Sequence, residues 1–138
     1  MSYITRVGNL ARTPELRTND DGRSYCFARV LVTDSKPDKD GTWHDTATTA
    51  YDLTITGDQA KRLIATSQES GNIRVLFTGR YRVETYTRPD GSTAISHRVK
   101  VDNIGASLKG QTLTITKTNE PTPPADPDDL WLDPQAPF

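Results

Sequence analysis

The sequence predicts an all-β fold, a five-stranded Greek-key barrel with one short helix between its third and fourth strands. Three observations lead there. Several segments alternate apolar and polar residues with a period of two. A single stretch, after the third of them, has helical spacing. Turn signals built on Asp-Gly and on Pro punctuate the chain.

Tyr3–Leu10 opens the first strand, and Thr13-Pro14 turns the chain. Asp20-Asp21-Gly22 marks a second turn. After it, Cys26, Ala28, Val30 and Val32 alternate with Phe27, Arg29 and Leu31, the second strand. Asp34–Asp45 reads as a polar loop carrying one aromatic, Trp43. The third strand sets Tyr51, Leu53 and Ile55 on one face against Ala50, Asp52, Thr54 and Thr56 on the other.

Asp58 then fits the N-cap of a helix bearing Ala60, Leu63 and Ile64 on one side, and Gly71 fits its C-terminal cap. Two longer strands, 73–87 and 93–108, are joined by Arg88-Pro89-Asp90-Gly91-Ser92, a hairpin signal. Thr112, Thr114 and Thr116 alternate with Leu113 and Ile115, the pattern of an extra C-terminal strand. Three strands, a helix and two strands is the order of the OB fold. That fold names no ligand by itself, since such barrels bind oligonucleotides, oligosaccharides and proteins.

The 138 residues have room for one small core, and a hydrophobic content of 33% is low for a chain packed throughout. Charge divides the chain. Residues 1–118 hold 17 Lys/Arg and 13 Asp/Glu, whereas 119–138 hold five acids and no Lys or Arg. Six of the nine prolines also fall after residue 120. The expected organisation is therefore a barrel domain over 1–118 and a disordered, acidic, Pro-rich tail over 119–138. Leu130-Trp131-Leu132 and the terminal Phe138 are apolar groups costly to leave in water, the mark of a recognition segment.

Cys26 is the only cysteine, so no disulfide framework can form, and a reducing compartment is expected. One cysteine and two histidines do not make an ordinary zinc site. No apolar run reaches membrane-spanning length, and the opening Met1-Ser2-Tyr3-Ile4 does not read as a signal peptide. Asp34, Asp38, Asp40 and Asp45 do not follow the EF-hand ligand order. With no nucleophile motif or phosphate cradle either, neither cofactor nor enzymatic activity is expected.

Binding a single strand without sequence preference needs cations for phosphates and flat rings for bases. On the fourth strand, Arg80, Arg82, Tyr86 and Arg88 share one parity, while Tyr81, Val83 and Thr85 share the inward one. On the fifth, Ser96, Arg98 and Lys100 face outward if Val99 and Val101 face in. Phe27 and Arg29 point the same way from the second strand. Each Arg alone reads as an ordinary solvated strand residue, and Glu84 interrupts the stripe; the combined set reads as a nucleic-acid face.

Val7-Gly8-Asn9-Leu10 followed by Thr13-Pro14-Glu15-Leu16-Arg17 resembles the opening of bacterial single-stranded DNA-binding proteins, with Thr13 where Asp is usual. The resemblance continues through Gly57, Gly79, the Tyr86 hairpin and Val101-Asp102-Asn103-Ile104-Gly105, most like actinobacterial members. The tail, ending Asp133-Pro134-Gln135-Ala136-Pro137-Phe138, is similar too. The resemblance implies a cytoplasmic, nucleoid-associated homotetramer that protects single-stranded DNA in replication, recombination and repair. It also implies recruitment of partner proteins through the tip, where Pro137 and Phe138 match although Gln135-Ala136 stand where acids are usual; Trp131 and Asp133 complete the candidate partner-binding set. Among the candidate DNA contacts, Tyr86 and Arg82 match the family's stacking and basic positions on the fourth strand; Arg80 and Arg88 are this chain's own neighbours on that face, and Phe27, Arg29, Trp43, Arg98 and Lys100 complete the set. Ala50 and Thr56 occupy positions where the family usually carries aromatics, with Tyr51, Trp43 and Phe27 as candidate substitutes. That departure keeps an alternative open, a protein-interaction module with weak or no DNA binding.

Overall fold

A computed structural model describes residues 2–117. The expected tail residues Trp131, Asp133, Pro137 and Phe138 lie outside the described residues. The chain runs β1 (Ser2–Leu10), β2 (Arg17–Thr18), β3 (Ser24–Pro37), β4 (Trp43–Thr56), α1 (Gly57–Ser70), β5 (Arg74–Thr87) and β6 (Thr93–Ala106). The sheet order is β1-β5-β6-β4-β3-β2, and β1 also pairs with β3 through Asn9↔Leu31 and Leu10↔Val30. That last pairing closes the five long strands into a barrel, as the element order implied. The two-residue β2 is an addition; it is too short to show alternation in the sequence.

The core follows from the period of two. Cys26, Ala28, Val30 and Val32 of β3 face inward to meet Tyr51, Leu53 and Ile55 of β4, Val75 and Phe77 of β5, and Val99 and Val101 of β6. Helix α1 plugs one end with Ala60, Leu63, Ile64 and Ser67. Thr13 Oγ1 and the buried Ser67 Oγ lie 2.8 Å apart and fasten the loop after β1 onto the helix. Gly79 sits at a β-bulge where a Cβ would strike the Lys100 backbone, so close strand approach requires glycine.

Several expectations need correction. Asp34–Asp45 is not wholly a loop: β3 and β4 stay paired to Pro37↔Trp43, and only Asp38–Thr42 forms the turn. Polar side chains misled there, because a two-stranded arm leaving a barrel has no core to alternate against. The helix begins at Gly57 with Thr56 as its N-cap and no side-chain capping bond; Asp58 lies in its first turn. Gly71 does cap the C-terminus, its N–H bonding Ser67 O. Val83 and Thr85 do not fill the barrel and are exposed. β4 pairs with β6 only up to Tyr51↔His97, so beyond Tyr81 nothing covers their side of β5. Among the described residues, 112–116 forms no strand, since no neighbouring strand pairs with it. Gln111 instead anchors this segment, its side chain accepting from Arg74 N–H at 3.0 Å and donating to Arg74 O at 2.7 Å.

Candidate nucleic-acid interface

Register places the outward side chains of four strands in rows. Antiparallel partners point to the same side of a sheet, and the parallel β4–β6 pairing carries each row across. One row runs Phe27, Thr54, Lys100, Arg80 and on to Tyr3 of β1. The next runs Arg29, Asp52, Arg98, Arg82. A third holds Leu31 and Ala50 on one side, Ser96 and Glu84 on the other, and Tyr86 pairs with Ala94 one step further. Five cations thus share a face with three acids, Asp52, Glu84 and Asp102, the last accepting from the Tyr3 hydroxyl at 2.7 Å.

Rings stand where bases could stack. Phe27 is 51% exposed and Tyr86 49%. The Arg17 guanidinium lies over the Phe27 ring at 5.7 Å, and Tyr25 meets Phe27 edge to face at 5.5 Å between centroids. Thr54, Arg80, Arg82, Arg98 and Lys100 line a depression of about 390 Å³ beside this cluster. Glu84 is not a stray acid. It holds Arg82 at 2.9 Å and Arg98 at 2.8 Å, fixing both guanidiniums on the face while offsetting part of their charge.

Phe27, Arg29, Arg80, Arg82, Tyr86, Arg98 and Lys100 therefore come together as the sequence suggested. Trp43 and Arg88 do not join them; each sits at the outer end of a hairpin arm, Trp43 being 66% exposed. Ser96, expected outside, is buried and donates its hydroxyl to Asp52 Oδ2 at 3.3 Å. Tyr51 cannot substitute for the missing strand-three aromatics. It is buried against Phe77, Tyr81 and His97, and Tyr81 Oη and His97 Nδ1 lie 2.7 Å apart beside it.

Sequence reasoning missed Arg17, Tyr25 and Tyr3. Tyr25 shares the parity of Phe27 and could have been found that way. Arg17 comes to the ring only through the β2–β3 pairing, which left no periodic trace. Among the described residues no group of His, Cys, Asp or Glu is arranged to hold a metal, and no helix is long and apolar enough to cross a membrane.

A model of the Single-strand binding protein family matches residues 1–107. The single-stranded DNA-binding protein 2 of Streptomyces coelicolor is 32% identical over 119 residues, covering 86% of this chain and 59% of the relative. That of Mycolicibacterium smegmatis is 32% identical over 117 residues, covering 84% and 70%. The chain thus spans somewhat under two thirds of the first relative's length. A crystal structure of a small single-stranded DNA-binding protein from Streptomyces coelicolor superposes with a TM-score of 0.66 at 26% identity. The superposition covers 78% of this chain and 94% of the solved one.

Proposed function

The chain belongs to the single-strand binding protein family, and from that premise we propose that it binds single-stranded DNA along the outward face of β3, β4, β6 and β5. The observation that carries this is the register: four paired strands bring the cations of β3, β5 and β6 and the rings of Phe27 and Tyr86 to one side of the barrel. Phosphates follow Arg29, Arg80, Arg82, Arg98 and Lys100, while bases stack on Phe27 and Tyr86. Trp43 and Arg88, at the arm tips, extend the path for longer strands. The protein's role is protective and non-catalytic, in replication, recombination and repair, within the nucleoid. It assembles as a homotetramer and recruits genome-maintenance proteins through Trp131, Asp133, Pro137 and Phe138.

Titrating the chain with oligo(dT) at two salt concentrations tests the reading. Binding at micromolar protein or below is expected, weakening with salt as displaced counterions return. For a short strand engaging the five cations of one protomer, the slope of log affinity on log salt is about −3.5. No change in intrinsic fluorescence or mobility at low salt contradicts the reading. The buried Tyr51 and the non-aromatic Ala50 and Thr56 favour a second reading, a protein-interaction module working through its tail. It predicts partner capture dependent on Phe138 with negligible oligonucleotide affinity.

A further inference from the structure

One feature of the face runs against simple phosphate binding. Past Tyr51↔His97, strands β4 and β6 are no longer paired, and a cleft of about 240 Å³ opens between them. Arg29, Ala50, Asp52, Tyr86 and Ser96 are among its lining residues. It carries an acid. Asp52 stands in register between Arg29 and Arg98, yet neither arginine forms an ion pair with it, and Arg98 holds Glu84 instead. The buried Ser96 hydroxyl bonds Asp52 Oδ2 at 3.3 Å and so orients the carboxylate. Alanine at position 50 leaves the space beside it open, and the half-exposed Tyr86 ring supplies a flat wall.

A carboxylate repels phosphate and attracts N–H donors. What enters this cleft from a bound strand is therefore a base edge, with the backbone held on the neighbouring cations. Guanine presents two adjacent donors, N1–H and the N2 amine, which match the two oxygens of one carboxylate. Cytosine and adenine offer an amine beside a bare ring nitrogen, which the carboxylate repels. Thymine offers one N–H flanked by two carbonyl oxygens. We propose that the cleft beside Tyr86 is a base pocket that favours guanine, with Asp52 as its specificity-determining residue. This rests on the reading of the face as the DNA path and adds a preference to it.

The experiment compares oligo(dT) with an oligonucleotide of equal length carrying isolated guanines, using the full chain at one salt concentration. Guanine is expected to tighten binding about tenfold. Inosine in its place keeps N1–H, loses the amine and retains only part of that gain. Asp52→Asn brings the oligonucleotides within about twofold of one another and, by removing a negative charge from the face, tightens oligo(dT) binding. Equal affinity of the native chain for both, or an undiminished guanine preference in Asp52→Asn, overturns the proposal. The native-chain comparison depends on no variant folding. If oligo(dT) binds and guanine adds nothing, the base pocket alone fails; if neither binds, the DNA path fails with it.

Discussion

Two hairpin arms leave the barrel, built on the same turn but carrying opposite charge. In the β3–β4 arm, Asp38 N–H bonds Thr42 O, Gly41 N–H bonds Asp38 O, and Asp40 Oδ1 accepts from Thr42 N–H. In the β5–β6 arm, Arg88, Ser92, Gly91 and Asp90 repeat every one of those bonds. Gly41 and Gly91 have φ of 86° and 88°, a left-handed position that ends a three-residue hairpin turn. Yet residues 34–45 hold four aspartates and two lysines, whereas 82–98 hold three arginines and two acids. Local turn chemistry fixes arm geometry; the residues between turn and barrel decide which arm attracts a polyanion. On the proposed path the β5–β6 arm is thus the principal DNA arm.

The largest effect should come from that arm. Tyr86→Ala is expected to cost about 1–3 kcal/mol of oligo(dT) affinity, roughly 5- to 150-fold. Arg82→Ala should also weaken binding and flatten the salt dependence. Fluorescence titration of each variant checks both, and wild-type affinity in Tyr86→Ala would break the comparison. Glu84→Gln should act the other way. Releasing Arg82 and Arg98 from their shared acid is expected to tighten binding about threefold and steepen the salt slope.

Trp43→Ala, on the acidic arm, should change affinity for a short oligo(dT) by less than about twofold. A larger loss should appear only with strands long enough to reach the arm tip, because Trp43 lies about 20 Å along β4 from Ala50. The smallest effect concerns the turns. Hydrogen bonds from Thr42 hold the Asp40 carboxyl below its ordinary value of 3.8, and those from Ser92 do the same for Asp90. A lowered folded-state pKa means the stabilisation is present above the ordinary value and lost as pH falls through the depressed one. The Thr42 and Ser92 amide resonances should therefore each titrate below the usual carboxylate range, whatever the charge of the arm.

The barrel and its order of elements could be read from the sequence because a half-buried strand writes its burial as alternation. Cys26 to Val32 and Tyr51 to Ile55 show this directly. Alternation is no guide where burial ends, so it understates the arms, sets Val83 inside and suggests a strand at 112–116. The site was legible in part for the same reason. Arg80, Arg82 and Tyr86 share a parity that the fold preserves. The Arg17–Phe27 contact and the cleft at Asp52 were not readable, since each depends on which strands pair and where a pairing stops. The sequence shows Cys26 only as a lone thiol; burial pushes its pKa up to about 11, so it should resist alkylation until the chain unfolds.

The central claim is that an unpaired strand lies across the outward side of β3, β4, β6 and β5. Ultraviolet cross-linking of oligo(dT) to the chain, followed by mass mapping of the adducts, tests it most directly. Adducts are expected in the peptides carrying Phe27 and Tyr86. Adducts confined to helix Gly57–Ser70 and the segment 107–117, with Phe27 and Tyr86 unmodified, would contradict it.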